Sequence, residues 1–387
     1  MSVLAPRDQA ELVEAIRDAA ATGAKIDLRG GGSKSGTGAP VVESTTLDMR
    51  AFAGVADYDP AELVLTVGAG TPLADVESLV ARHDQMLAFE PFDFAQISGG
   101  ECGRTTIGGV VVGAVSGPRR LSRGAVRDHL LGFSAVSGRG EAFVAGGKVV
   151  KNVTGYDLSK LMAGSWGRLA ALTEVTLKVL PAPQLQMTFI VRGLDAGQAY
   201  RAMSTALASQ ADVAAAAYLP EAPDDGPGDR AVTAFRLEGF APSVAARAIV
   251  LDRVLGGFGR VEQADPADGL WDRVRSLAPL ATASTLWRVS LPARSMPSFS
   301  ETLAAARAPW LADWGGGLVW TGFAGEPAIL RRAAAEAGGH AALVKGFAEL
   351  RAAVPAFHPQ AAGLAALEQR VRRGFDPLGV FETGRFG

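Results

Sequence analysis

Cysteine is almost absent from this sequence, which contains a single one, Cys102, in 387 residues. A lone cysteine can form no disulfide within the chain and cannot supply the thiolates of an iron–sulfur cluster, so a reducing compartment is the simplest interpretation. The 38 basic and 40 acidic residues nearly cancel, leaving a net charge of −2. No overall charge therefore favours binding to nucleic acid or to a membrane surface.

Long hydrophobic runs are missing as well. No apolar stretch approaches the roughly 18 residues that cross a membrane, and the first twenty residues lack the basic start and apolar core of a signal peptide. We therefore expect a cytoplasmic protein without a transmembrane segment. Hydrophobic residues still make up 48% of the chain and charged residues 20%. This balance is typical of a folded protein, and the length allows two or three domains.

The first half of the chain alternates short strands and helices. Strands are predicted at Ile26–Leu28, Thr46–Met49, Leu63–Val67 and Leu169–Val179, and helices at Pro6–Ala21 and Pro72–His83. The first helix should bury the face that carries Leu12, Ala15, Ile16 and Ala19. Thr71 is expected to cap the second helix, with Pro72 at its first position.

The second half has a different composition, with five of the six tryptophans. Strands are predicted at Gln186–Val191, Ala231–Leu237, Thr285–Leu291 and Gly317–Phe323, and helices at Ala196–Ser209, Pro242–Leu255 and Pro327–Ala337. This alternation favours an α+β sheet with helices on one face. Pro181-Ala182-Pro183 is typical of a domain boundary, and Pro220–Asp229 of an exposed loop.

The segment Lys25–Gly38, KIDLRGGGSKSGTG, holds three consecutive glycines after a short apolar strand. Glycine adopts positive φ at no steric cost, so such a loop can turn sharply and direct successive N–H groups at one point. Two hydroxyls and the ammonium of Lys34 add donors suited to a diphosphate, and we expect this ammonium to be an exposed charge that water readily replaces. The spacing matches neither the Walker loop nor the G-x-G-x-x-G fingerprint, so ATP and NAD are not favoured. Alone, the loop would be better explained as an ordinary turn.

Two more segments accompany this loop. Thr105–Arg127, TTIGGVVVGAVSGPRRLSRGAVR, has glycines that remove side chains along an apolar path, against which a flat ligand could lie. The structural alternative is a glycine-rich buried strand followed by a basic turn. Lys151–Val179 contains a predicted tight turn at Gly164–Gly167 and then a strand whose backbone could meet a heterocycle.

These segments, in this order, resemble the PCMH-type FAD-binding domain of the vanillyl-alcohol oxidase superfamily. Within that group the chain is similar to the FAD-binding subunit of bacterial glycolate oxidases. The likeness is carried by SGPRR at Ser116–Arg120, VKNVTGYDLSKLMAGSWG at Val150–Gly167 and FDPLGVFETGRF at Phe375–Phe386. It extends over almost the whole chain.

The resemblance implies an α+β protein in three parts. A PCMH-type FAD-binding domain of two α/β subdomains would span residues 1–183. A smaller α+β cap domain would follow over 184–370, and residues 371–387 would return to the FAD domain. Because covalent attachment in the superfamily uses His or Cys and the glycine loop has neither, noncovalent FAD is expected. Cys102 is more typical of a small buried hydrophobe than of a flavin tether.

The resemblance also implies a set of cofactor-binding residues. The diphosphate is assigned to Gly30, Gly31, Gly32, Ser33, Lys34, Ser35 and Gly36, the flavin and ribityl chain to Thr105, Thr106, Gly108, Gly109 and Gly113, a second flavin-side loop to Gly124, Arg127 and Asp128, the adenine to Ala171 and Leu172, and a position near the cofactor to Pro91. The chain departs from the family pattern at Phe92, where a second proline is usual, and at Glu382-Thr383, where Asn-Pro is usual.

The activity implied is the oxidation of glycolate to glyoxylate, with electrons passed to an acceptor other than oxygen. The implied partners are a homologous catalytic flavoprotein subunit and an iron–sulfur subunit, which could bring the chain to the inner membrane. Catalytic residues are not assigned, because each of His83, His129, His340 and His358 fits a structural or surface role, and no metal site is expected. Two alternatives stay open: a self-sufficient D-lactate-like dehydrogenase, and a non-catalytic scaffold.

Overall fold

The computed structural model describes residues 2–98, 100–148, 155–220 and 231–386. The start of the VKNVTGYDLSKLMAGSWG motif and all but Pro220 of the predicted loop Pro220–Asp229 lie outside these residues. The chain forms two compact units. The first comprises Met1–Ser116, Gly124–Pro181 and Pro359–Gly387, and the second comprises Gly117–Arg123 and Ala182–His358. The short excursion into the second unit near Arg120 had no signal in the sequence.

The first half of the chain is built from short elements. The described strands are β1 (Val3–Leu4), β2 (Ile26–Arg29), β3 (Thr45–Asp48), β4 (Val55–Asp59), β5 (Val64–Gly68), β6 (Gln85–Met86), β7 (Leu130–Ser137), β8 (Ala142–Gly146), β9 (Ala170–Lys178) and β10 (Leu180–Pro181). The described helices are α1 (Gln9–Thr22), α2 (Leu73–Ala81), α3 (Ala95–Ser98), α4 (Ile107–Val112), α5 (Arg120–Arg123), α6 (Val126–His129) and α7 (Leu158–Met162).

The first unit contains two main sheets. A parallel sheet has the strand order β1-β3-β2, and an antiparallel sheet has the order β4-β5-β9-β7-β8. Helix α1 begins after Asp8, whose carboxylate accepts the N–H groups of Ala10 and Glu11. Its buried side chains Leu12 and Ile16 pack in one cluster with strand residues of both sheets. The predicted helix and its apolar face are confirmed.

Two local predictions in this unit were wrong. Thr71 does not cap α2, because the helix begins one residue after Pro72 and has no side-chain cap. The Thr71 hydroxyl instead donates to the Gly68 carbonyl at 2.7 Å and accepts the Gly54 N–H at 3.0 Å. The alternative of a glycine-rich strand after Thr106 also fails, since this segment forms the short helix α4.

The second half of the chain is more regular. The described strands are β11 (Leu185–Arg192), β12 (Ala215–Leu219), β13 (Val232–Gly239), β14 (Val261–Ala264), β15 (Leu286–Ser290), β16 (Trp310–Asp313), β17 (Leu318–Thr321) and β18 (His340–Lys345). The described helices are α8 (Ala196–Leu207), α9 (Ala241–Leu255), α10 (Leu270–Ser276), α11 (Met296–Ala305), α12 (Pro327–Glu336), α13 (Ala348–Ala353) and α14 (Ala362–Phe375). Every strand and helix predicted in this half is confirmed, with ends within two residues.

These eight strands form one antiparallel sheet in the second unit, in the order β14-β11-β13-β12-β16-β17-β15-β18. Alternate strand residues such as Phe235 and Trp287 point into a core that also takes side chains from α8, α9, α11 and α12. The helices therefore cover one face, as the α+β prediction requires. Among the described residues, no helix combines the length and apolarity needed to cross a membrane.

Candidate FAD site

A cleft that is partly open to solvent lies within the first unit. Its walls come from the glycine loop after β2, from α4, from the start of β9 and from the last residues of the chain. Eleven of the predicted site residues line it: Gly30, Gly31, Gly32, Ser33, Lys34, Ser35, Thr106, Gly108, Gly109, Ala171 and Leu172. The three segments singled out in the sequence thus meet at one place.

The glycines of the loop serve two different purposes. Gly32 alone among Gly30–Gly32 has a positive φ, +75°, and only the Arg29 side chain, at 3.8 Å, lies near the position of a Cβ. Gly31 is required by packing, since a Cβ there would lie 1.3 Å from the carbonyl oxygen of Arg104. Gly36 is similar, because its Cβ would lie 2.3 Å from the Ser98 carbonyl oxygen. Most of the glycine run therefore lets the loop lie flat on a segment some seventy residues further along the chain.

The loop leaves several backbone donors unused. Ser35 donates its N–H to the Gly32 carbonyl at 3.0 Å, and Thr37 donates to the Lys34 carbonyl at 3.0 Å. Among the described residues, the N–H groups of Gly31, Gly32, Ser33 and Lys34 have no hydrogen-bond acceptor. Consecutive unpaired N–H groups in a glycine loop are the donor set that binds phosphate oxygens.

Lys34 adds a cation to this donor set. Its amine is buried, and among the described residues it has no hydrogen-bond partner. The amine lies 5.0 Å from the centre of the Phe94 ring. Burial lowers the pKa of Lys34 to about 7, against an opposing effect of Asp93 and with a further lowering by Arg385. The sequence had suggested an exposed, easily replaced charge here, and that expectation was wrong.

Helix α4 begins at the Thr106 cap, whose hydroxyl accepts the Gly109 N–H at 3.3 Å. The next two N–H groups are also used, since Ile107 donates to the Thr71 carbonyl and Gly108 to the Ala69 carbonyl. The glycines of α4 therefore offer a surface without side chains, and the first turn of the helix has no spare donors for a ligand.

Another part of the cleft lining is apolar. Ala171 and Leu172 lie on β9, and Trp166 and Gly167 precede it in a turn where both have positive φ. This turn confirms the predicted bend at Gly164–Gly167. A heterocycle could lie against these small and aromatic side chains.

The C-terminal residues Arg385 and Phe386 also line the cleft. Arg385 donates to the carbonyl oxygens of Thr37, at 2.9 Å, and of Lys34, and to the Asp27 carboxylate at 3.2 Å. The ring of Phe386 lies 5.1 Å from that of Trp166. No role in the site was predicted for these residues, although the FETGRF ending was a signal that could have drawn attention to them. Other lining residues absent from the prediction are Leu28, Arg29, Met49, Ala69, Val112, Trp166, Gly167 and Ala170.

Seven predicted residues are not among those that line the cleft: Gly36, Pro91, Thr105, Gly113, Gly124, Arg127 and Asp128. The Thr105 hydroxyl donates to the Asp93 carboxylate. Asp128 accepts the Ala125 N–H at 2.8 Å at the start of α6, and Arg127 is exposed.

Neither the cysteine nor any of the described histidines is among the residues that line the cleft. Cys102 is exposed, so the expectation of a buried hydrophobe was wrong. His129 is buried, with Nδ1 3.3 Å from the Lys178 carbonyl. The pKa values of His340 and His358 are both lowered, chiefly by burial and then by Arg288 and Arg331 respectively. Within the described ranges, no three His, Cys, Asp or Glu side chains form a group that could hold a metal ion.

The residues of the cleft fit an elongated ligand with an anionic centre and flat ends. The unused N–H groups and the Lys34 amine would face the anion, and the apolar walls would face the rings. FAD, with a diphosphate between two ring systems, has this distribution of charge.

Comparison with known proteins agrees with the geometry. Residues 2–146 match the family model described as FAD binding domain. The chain is 34% identical over 376 residues to the glycolate oxidase subunit GlcE of Escherichia coli, covering 97% of this chain and 96% of that one. The chain belongs to this glycolate oxidase subunit family. Its N-terminal domain is therefore an FAD-binding domain, and FAD is its cofactor.

More distant relatives match in part. A D-lactate dehydrogenase of Archaeoglobus fulgidus is 30% identical over 46% of this chain and 38% of its own length. The glycolate oxidase subunit GlcD of Bacillus subtilis is 27% identical over 57% of this chain and 44% of its own length. A solved structure of alkyldihydroxyacetonephosphate synthase matches with a TM-score of 0.69 over 98% of this chain and 76% of that one. At 14% identity, the match to this solved structure shows a shared fold and nothing further.

Proposed function

We propose that this chain is an FAD-binding subunit of a glycolate oxidase complex, which oxidises glycolate to glyoxylate and passes the electrons to an acceptor other than oxygen. The partners in this proposal are a homologous catalytic flavoprotein subunit and an iron–sulfur subunit. The support is the match to a glycolate oxidase subunit along nearly the whole chain. The complex would be cytoplasmic, or held at the inner membrane through its other subunits.

The observation that carries the cofactor part of the proposal is the donor set of the cleft. In the proposed arrangement the N–H groups of Gly31–Lys34 and the Lys34 amine hold the diphosphate. Ala171 and Leu172 bound the adenine, and Thr106, Gly108 and Gly109 lie on the flavin side. Arg385 fixes the loop through the carbonyl oxygens of Lys34 and Thr37.

The bound FAD would supply a two-electron acceptor for oxidation of the CH–OH group. Oxidation of a 2-hydroxy acid also requires a base for the hydroxyl proton and a cation for the carboxylate. The described residues show no histidine–carboxylate cluster of the kind that could do this with a metal. We therefore place the substrate chemistry in the assembled complex, with this chain contributing its FAD.

No histidine or cysteine lines the cleft within the described residues, which supports noncovalent binding. Purified protein should show a flavin absorption spectrum, and heat or acid should release all of the yellow chromophore into the supernatant as FAD. Flavin that stays with the precipitated protein would contradict noncovalent attachment. Release of FMN would contradict the role given to the diphosphate.

The activity is tested with the complex purified intact. Glycolate should be converted to glyoxylate with an artificial electron acceptor, and much more slowly with oxygen alone. Faster turnover of D-lactate than of glycolate would favour the dehydrogenase alternative, and a complex in which this chain carries no flavin would favour the scaffold.

A further inference from the structure

The Lys34 amine is in an unusual situation for a lysine. Lys25, nearby in the chain, donates its amine to the Gly379 carbonyl, whereas the buried Lys34 amine has no hydrogen-bond partner among the described residues. A buried ammonium without a partner is costly, because nothing replaces the water it has lost. Since Lys34 is one of the residues that line the cleft, a ligand bound there could supply the missing partner.

Gly113, the last glycine of the T-T-I-G-G-V-V-V-G segment, provides the space for this side chain, and a Cβ on Gly109 would be at ordinary contact distance from the amine. A Cβ on Gly113 would lie 2.4 Å from Lys34 Cε and 3.2 Å from Cδ. A Cβ on Gly109 would lie 3.7 Å from the amine nitrogen. The lysine stem therefore runs along the side of α4 where no side chain is present, with the Phe94 ring near the amine.

The groups around the Lys34 amine, together with its burial, bring its pKa close to neutral pH. Asp93 favours its protonated form, but that carboxylate already accepts hydrogen bonds from Ala95, Gly103 and Thr105. Arg385 disfavours protonation, and α4 contributes no ionisable side chain. With burial added, the pKa of Lys34 is about 7, so at neutral pH the amine is divided between its charged and uncharged forms.

We propose that Lys34 is a proton-linked ligand of the FAD diphosphate, whose amine becomes fully protonated by proton uptake from solvent as the cofactor binds, and that Gly113 is a positioning residue for this amine. This inference rests on the proposed binding of FAD in the cleft. No bond other than the N–H bond is made in the step, and no electron is transferred.

The consequence is a pH-dependent affinity. The diphosphate is anionic throughout the neutral range, so it binds the ammonium form and raises the pKa of Lys34 in the complex. Affinity is then highest below pH 7 and falls as the pH rises above it. If the pKa in the complex exceeds 9, Kd should increase about 30-fold between pH 6 and pH 8.5.

The experiment measures FAD binding to the apoprotein from pH 6 to pH 8.5 by calorimetry, in buffers that differ in ionisation enthalpy. Wild-type protein should show the rise in Kd and an uptake of about half a proton at pH 7. Lys34→Met should bind more weakly at pH 6, with a flat pH profile and no proton uptake. Lys148→Met is the matched control, because that lysine is exposed and paired with Asp57, and it should keep the wild-type profile.

A second variant tests the positioning role. Gly113→Ala should displace the lysine stem and flatten the pH profile in the same way. In the double variant Lys34→Met/Gly113→Ala the loss of affinity should be smaller than the sum of the two single losses. Thermal unfolding of each apoprotein shows whether it is folded.

The possible failures are distinguishable. Wild-type protein that binds FAD with a constant Kd and no proton uptake would overturn the role of Lys34 and leave the proposed function intact. The same conclusion would follow if Lys34→Met kept the wild-type slope. Wild-type apoprotein that binds no FAD at any pH would overturn both proposals.

Discussion

At the scale of single residues, Gly32 illustrates how a glycine can serve the ligand and not the packing. Gly32 has φ +75°, and only the Arg29 side chain lies within 4 Å of the position that a Cβ would take. Gly23 has φ +74° with nothing within 4 Å of that position. Substitution of either glycine by alanine should lower the free energy of unfolding by about 1 kcal/mol through backbone strain. We expect only Gly32→Ala to weaken FAD binding, because it alters the N–H groups of the loop.

Titration of FAD into both apoproteins, together with urea unfolding, tests this prediction. Gly23→Ala is the control for strain at a distance from the cleft. Equal affinities in the two variants would mean that the loop is an ordinary turn.

Lys34 should also influence the stability of the apoprotein. Its pKa is about 7 in the folded chain, against an ordinary value of 10.5. Between these values the unfolded chain binds the proton more strongly, so the unfolding free energy of wild-type apoprotein increases with pH in this range. We expect Lys34→Met to stabilise the apoprotein by about 2 kcal/mol at pH 6, and by progressively less as the pH approaches 10.

Chemical denaturation of both apoproteins at pH 6, 7.5 and 9 measures the difference. The variant should gain stability while it loses affinity for FAD, a trade-off typical of functional sites. A variant less stable than wild type at pH 6 would show that interactions in the free protein offset the cost of burying the Lys34 amine.

The sequence predicted which of these residues belong to the site better than it predicted what each of them does there. The glycine run and Lys34 were identified because local composition indicates a phosphate loop. Local composition did not show that Gly31 lies against Arg104 or that Gly113 makes room for Lys34, since both contacts join residues that are far apart in the sequence. The Lys34 amine is buried by the same long-range contacts. Because local sequence does not reveal such contacts, the sequence suggested an exposed charge.

At the scale of elements, α4 shows how tertiary contacts override local preference. Ile107–Val112 combines two glycines with three valines, which disfavour a helix, yet the Thr106 cap and N–H bonds to Ala69 and Thr71 hold it in a helical conformation. The strands and long helices of the second half were predictable because their hydrophobic periodicity extends over many residues.

The C-terminal segment is a second element whose role depends on long-range contacts. Asp376 is buried, and its carboxylate accepts the N–H groups of Val380 and Phe381 at 2.8 Å each. Asp376→Ala should leave these two buried donors unpaired and cost about 2 kcal/mol or more. Because the segment ends in Arg385, FAD affinity should decrease as well.

Denaturation and FAD titration measure the two effects. Asp18→Ala, at an exposed aspartate in α1, is the control and should change neither. A loss of stability in Asp376→Ala without any loss of affinity would show that Arg385 and Phe386 are dispensable for the cofactor.

The segment Gly117–Arg123 is a third element whose role depends on long-range contacts, in this case within the second unit. Arg119 contacts the fully buried carboxylate of Glu238 at 2.8–3.0 Å, and Arg236 approaches the same group at 3.1 Å. Arg119→Leu should destabilise the protein by about 2–4 kcal/mol, because a buried charge loses one of its partners. Arg192→Leu should cost about 1 kcal/mol or less, since its pair with Glu262 is about one-third exposed on each side.

Thermal unfolding of the two variants compares a buried ion pair with an exposed one inside the same sheet. Equal shifts in Tm would mean that Arg236 alone satisfies Glu238, and that the excursion of the chain near Arg119 contributes little to the second unit.

At the scale of the whole molecule, the last prediction concerns where catalysis takes place. The chain has an FAD cleft, but none of the described histidines lines it. His358 accepts the Ala341 N–H at 3.3 Å through Nδ1, and the pKa of His340 lies below its usual range because of burial and the charge of Arg288. Base, substrate carbon and flavin must lie within a few ångströms of one another. We therefore expect His340→Ala and His358→Ala to leave glycolate turnover by the complex nearly unchanged.

For the same reason, glycolate should barely reduce the flavin of the isolated chain, and addition of the partner subunits should restore turnover. Anaerobic mixing of the purified chain with glycolate, followed at the flavin absorption band, measures the first point. The wild-type complex provides the reference rate for the second. Rapid bleaching of the isolated chain by glycolate or D-lactate, lost in His340→Ala, would instead identify a self-sufficient dehydrogenase with its base in the second unit.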